Sequence, residues 1–204
     1  MRSCAVDKLT RTESRRLRSL AGPVGIQAFL DRLPYHIATS AWSPRVVLRE
    51  GTAHCLEGAI FAAAALRANG YEPLIVDLEA EHDTDHVIAV YRDHGAWGSI
   101  ASSNYATCRG RPPVYRTLRE LAMSYFDGYF NLRRERTLRR FSRPVRLARF
   151  DRRSWMTTEE PLWFIVDHLF EIAHTELLTP RMRRRLPLVD RRSFAAGLHG
   201  HRKS

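Results

Sequence analysis

A cysteine at the first turn of a helix and a histidine on a nearby strand are the parts of an acyl-transfer site, and this chain carries one such pair, Cys55 and His86. Cys55 follows a Gly-led turn and precedes an apolar run, AIFAAAAL. The positive end of a helix dipole stabilises a thiolate and lowers its pKa. Unpaired N–H groups at the same helix end can hold a developing oxyanion. A strand-borne histidine alongside takes and returns the proton. A carboxylate or amide usually orients the imidazole. Taken singly, a buried helical cysteine reads as structural and His86 as an ordinary strand residue, so the pairing carries the argument. His54 reads as a cleft or surface residue, Cys108 as a bystander in a loop, and Cys4 as part of the N-terminal tail.

The elements that must position this pair follow from pattern. A helix is expected from Thr52, as N-cap, to Ala68, with Asn69-Gly70 ending it. Its interior is apolar nearly all round, so it should be buried. Pro73 to Leu78 reads as a strand, residues 79–85 as a charged loop and His86 to Tyr91 as a second strand. Asp93-His94-Gly95 signals a hairpin turn, which pairs Ala96 to Ala101 back as a third strand. Further helices are expected over Val24 to Leu33, Val114 to Phe130 and Glu159 to Leu177. Pro44 to Leu48 is a short apolar stretch, Ser102 to Pro113 a loop, Val145 to Phe150 a strand or extended arm, and the last 25 residues or so an irregular tail.

Composition narrows the classes. The longest apolar run, Ala59 to Leu66, is eight residues, where a membrane span needs roughly twenty, so no membrane partner is expected. The N-terminus lacks the apolar region of a secretory signal. Three cysteines with no CxxC spacing give neither a disulfide framework nor a zinc site, and a reducing cytoplasm is the expected compartment. His82, Asp83, Asp85, His86 and His94 are explained by a charged inter-strand loop as well as by a metal site, and no metal or cofactor is expected. The net charge is +11, and 31 of the 33 basic residues are arginines. That charge is unevenly placed. Residues 50–131 hold six basic and eleven acidic residues, a net of −5, and the flanks hold 27 and 11, a net of +16. Arg-rich flanks allow contact with a polyanion, although few aromatics are interleaved with them.

The stretch from Pro44 to Asn104, about 60 residues, resembles the core of the transglutaminase-like superfamily, a branch of the papain-like cysteine fold. The resemblance rests on Cys55 at the helix start, the alanine-rich helix with its Gly turn, His86 on the hairpin strand, and Trp97 eleven residues later on the partner strand. It implies that Cys55 is the nucleophile and His86 the base. It also implies an orienting Asp four positions after the tryptophan, where this chain has Ala101. Asn104 and Ser103 lie a little further on and are the candidates to replace it, since papain-like enzymes use an Asn in this role. Asp85 would need its backbone turned round to serve, because adjacent strand residues point to opposite faces.

The expected fold is therefore α+β: a papain-like, transglutaminase-like core in which the Cys55 helix packs on a small antiparallel sheet, with extra helices on both sides. Residues 1–43 would be a basic helical lead-in, 44–131 the core, and 132–204 an Arg-rich extension with one helix over 159–177. The leading function is cysteine-dependent acyl transfer, of amidase, peptidase or transglutaminase type, on a peptide or carboxamide. The alternatives are a binding or assembly module that has lost its triad, for which Ala101 argues, and nucleic-acid binding through the flanks. Oligomeric state is not readable from the chain.

Overall fold

The computed structural model describes residues 8–202, so Cys4 lies outside the described residues. Four helices come first: α1 (Arg11–Arg18), α2 (Gly22–Leu30), α3 (Pro44–Glu50) and α4 (Cys55–Ala68). Strands β1 (Leu74–Ala80), β2 (His86–Asp93), β3 (Ala96–Ile100) and β4 (Arg111–Tyr115) follow, then the short helix α5 (Leu118–Met123). The chain ends with β5 (Leu138–Ser142), β6 (Val145–Arg146), α6 (Trp163–Glu171), β7 (His174–Glu176), α7 (Pro180–Arg183) and α8 (Arg191–Gly197). The protein is thus mixed α and β, with an antiparallel sheet and several helices. The sheet has seven strands in the order β4-β3-β2-β1-β5-β7, with β6 beside β1, and is larger than expected.

The centre of the sheet is buried on both faces, because β2 sends alternate residues to two cores. Val87, Ala89 and Tyr91 pack with α4, together with Ile60, Phe61 and the alanines of that helix. Ile88 and Val90 face the other way, towards Leu121, Tyr125 and Tyr129. Helix α4 shows no amphipathic stripe because α1, α2, α3 and the sheet surround it. The helix comes so close to the end of β3 that a Cβ on Gly58 would lie 2.6 Å from Ser102 Cβ. The β2–β3 hairpin closes on His94 (φ 46°) and Gly95 (φ 85°), the paired positive φ of a type I′ turn.

Several expectations are corrected. The short apolar stretch Pro44 to Leu48, given no element in the sequence, lies in helix Pro44–Glu50, capped by the Ser43 hydroxyl, which accepts from the Val46 N–H. Thr52 does not cap α4, since its hydroxyl donates to the Pro34 carbonyl and His54 takes the cap position. The helix expected over 114–130 is reduced to Leu118–Met123, because 111–115 pairs with β3 as a strand. The helix expected over 159–177 is only Trp163–Glu171, and residues 174–176 join β5 instead. The expected irregular tail contains two helices among the described residues, α7 and α8. Residues 132–202 supply β5, β6 and β7 to the same sheet as the cysteine-bearing segment.

Candidate active site

Cys55 is the first residue of α4, and it meets the start of β2. Its thiol lies 4.0 Å from the Asp85 carbonyl. The backbone N–H groups of Val87 and Leu56 and the side chain of Tyr35 favour the thiolate, but burial outweighs them and pushes the thiol pKa up. The lowered pKa expected for a helix N-terminus is therefore overturned: desolvation is the larger effect here. Tyr35 reaches the same thiol from the loop after α2, and burial holds its phenol well above the usual range.

His86, 6% exposed, opens β2 on the face opposite α4. Its ring lies edge-on to Tyr125 and Tyr129, with centroids 6.2 and 6.3 Å away. Its Nε2 is 2.9 Å from the Cys108 carbonyl. A carbonyl only accepts, so Nε2 carries the proton and the lone pair of the neutral ring is on Nδ1. Burial drives the pKa of His86 down to about 4, so the ring is neutral at neutral pH. The orienting group is thus a backbone carbonyl. The segment bearing this carbonyl is held in place because Arg111 donates to the Thr107 and Arg109 carbonyls, and the Cys108 thiol donates to the Gly128 carbonyl.

Neither expected orienting side chain contacts His86. Ser103 Oγ accepts the Tyr105 N–H, and Asn104 pairs with the backbone of Arg202. Ala101 is buried, and the Gln27 side chain bonds both its N–H and its carbonyl at 3.0 Å. Asp85 Oδ1 accepts the Ala80 N–H, and burial raises its carboxyl pKa to about 6. Trp97 sits under the guanidinium of Arg92, 5.3 Å from its ring centroid, at the far end of the hairpin.

Cys55 and His86 line one cavity of about 270 Å³. Tyr35, Tyr105, Tyr129 and Phe130 give it aromatic walls, and Asp83 and Asp85 give it an acidic edge. Ile37 and Leu132, 46% and 65% exposed, stand at its rim. Asn104, Ser103, His201 and Arg202 close the remaining side. Three lining groups escaped the sequence reading. Tyr35 had no spacing to mark it, Tyr129 reads as core, and a backbone carbonyl such as that of Cys108 has no signature in residue type.

Glu57 braces the start of α4. Its carboxyl group is 0% exposed and gathers the Ser40 hydroxyl (2.7 Å), the Trp42 and His54 N–H groups (3.2 Å each) and His36 Nδ1 (3.2 Å). His54, buried rather than at the surface, places Nε2 2.8 Å from the Ser40 carbonyl. This network fixes residues 35–42 against the first turn of α4. Among the described residues there is no group of three or more His, Cys, Asp or Glu side chains that could hold a metal ion. The chain matches no protein-family model and no curated protein sequence.

Proposed function

We propose that this protein is a cysteine-dependent acyl-transfer enzyme built on a transglutaminase-like, papain-like core. The observation that carries the reading is the cavity shared by Cys55 and His86, with His86 held in the tautomer that leaves Nδ1 as the base. At neutral pH the resting pair is a thiol and a neutral imidazole, because burial raises one pKa and lowers the other. Cys55 attacks the carbonyl carbon of a carboxamide or peptide bond as Nδ1 accepts the thiol proton. The S–C bond forms, the C–N bond breaks, and the departing amine takes the proton back from His86. Water or a second amine then attacks the thioester, with His86 again moving the proton, and Cys55 is regenerated. Backbone N–H groups at the start of a helix can stabilise the tetrahedral oxyanion.

The reading is tested by incubating the protein with a mixed library of peptide carboxamides. Intact-mass analysis should find an acyl adduct on Cys55, with ammonia or amine released. Equal release from Cys55→Ser would sink the proposal.

A non-enzymatic binding module is the second reading. One observation favours it: among the described residues no hydrogen bond joins Cys55 to His86, whose side chains meet the Asp85 and Cys108 carbonyls instead. Nucleic-acid binding is weaker. Arg139, Arg140 and Arg146 are paired with Glu81, Glu79 and Glu72 of the same chain, which diminishes what the flanks offer to phosphate. Among the described residues no helix is long and apolar enough to cross a membrane.

A further inference from the structure

His201 and Arg202 line the cavity. Helix α8 is clamped against the cavity wall: Phe194 packs on Phe130 with centroids 5.4 Å apart, and Gly197 fits so closely that a Cβ would collide with the Phe130 ring. The helix start is also fixed, since Val189, fully buried, donates its N–H to the Arg134 carbonyl (2.8 Å). From α8 the chain turns through Gly200 (φ 75°) and brings His201 and Arg202 to the site. His201 stands edge-on to Tyr105, with centroids 4.9 Å apart.

The contact with Asn104 gives this placement a meaning. Asn104 Nδ2 donates to the Arg202 carbonyl (2.9 Å), and the Arg202 N–H donates to Asn104 Oδ1 (2.8 Å). One side-chain amide thus satisfies both backbone groups of a single residue. A neighbouring strand would do the same, and such pairing recognises an extended backbone whatever its side chain. The apolar rim residues Ile37 and Leu132 and the acidic Asp83 and Asp85 are then available to the ligand's side chains.

We propose that the cavity binds an extended polypeptide whose backbone is read by Asn104, and that residues 199–202 are a self-strap occupying that position until the polypeptide displaces them. The substrate class rests on the acyl-transfer reading above, whereas the binding site and the strap do not. As an intramolecular segment the strap competes at a high effective concentration, so its removal exposes the site to weak ligands.

The test uses the chain ending at Leu198 and a fluorescent peptide of sequence LHGHRKS, residues 198–204. The peptide should bind the shortened chain at least tenfold more tightly than the full chain, and Asn104→Ala in the shortened chain should abolish the gain. Iodoacetamide should label Cys55 several-fold faster in the shortened chain. Asn104→Ala in the full chain should also speed labelling, which keeps the test independent of how the shortened chain folds. Equal peptide affinity and equal labelling in all forms would overturn the strap. Asn104-dependent peptide binding without acyl adduct on any carboxamide would retain the strap and remove the enzyme reading.

Discussion

The two halves of the sheet are held by different forces. Around β2 and β3 the contacts are apolar: six consecutive residues of β2 from His86 to Tyr91 are buried, and alternate positions fill separate cores on the two faces. Around β5 and β7 ionic contacts are added to the buried Leu138 and Phe141. Glu79, Arg140 and Glu176 stand in register across β1, β5 and β7, and Arg183 pairs with Glu176 beyond them. One row further on, Ser142 Oγ accepts the Asp77 N–H, and His174 places Nε2 3.0 Å from Asp77 Oδ2. In the first half a one-residue slip would expose every apolar side chain. In the second it would take Arg140 out of register with Glu79 and Glu176. The acidic middle and basic flanks of the sequence are therefore partly the two sides of one set of contacts.

The difference between the halves can be sharpened by substitution. Phe61→Ala, in the apolar half, should cost about 3–5 kcal/mol of unfolding free energy in urea, and a loss under about 1 kcal/mol would break the contrast. The pH response of His86 comes next. Its folded pKa of about 4 lies below the unfolded value near 6.5. Its contribution is complete above pH 6.5 and is lost as pH falls towards 4, in all on the order of 3 kcal/mol. Urea midpoints of His86→Gln should show a shallower acid-side decline than the natural chain. His174 belongs to the ionic half and behaves oppositely. The Asp77 carboxylate raises its pKa, so its contribution is present below pH 6.5 and is lost as pH rises through the folded value. His174→Gln should flatten that alkaline-side decline.

Smaller effects follow. Gly58→Ala forces α4 away from Ser102 and should cost about 1–3 kcal/mol, read from the same urea curves. Arg140→Ala should cost no more than about 1 kcal/mol, since its guanidinium is partly exposed. Raising salt should narrow the gap between Arg140→Ala and the natural chain while leaving the Phe61→Ala gap unchanged.

What the sequence disclosed divides along the same line. Helix α4 and the β2–β3 hairpin were legible because hydrophobic burial and turn chemistry leave local marks, namely the unbroken AIFAAAAL run and the His94-Gly95 turn. Strand β5 was not, because LRRFS looks like a charged stretch until Glu79 and Glu176 are seen flanking Arg140. Residues 174–176 extend an apparently helical pattern, yet pairing with β5 overrides that local tendency. At the site, Cys55 and His86 were marked by residue type and position. The orienting group was not, because it is the carbonyl of Cys108, a contact made by loop geometry rather than by a side chain. Asn104 was singled out for the wrong partner: its amide meets the end of the chain, 98 residues away.

The most direct test of the central claim is the rate of Cys55 alkylation by iodoacetamide as a function of pH, compared with His86→Gln. Desolvation raises the thiol pKa of the half-buried Cys55, and the His86 ring is neutral above about pH 4. The natural chain should therefore show a plateau between about pH 5 and 8, where Nδ1 assists removal of the proton. In His86→Gln the plateau should vanish, leaving a rate that climbs about tenfold per pH unit with thiolate concentration. If both chains show only that climb, Cys55 and His86 do not act together, and the cavity is not an acyl-transfer site.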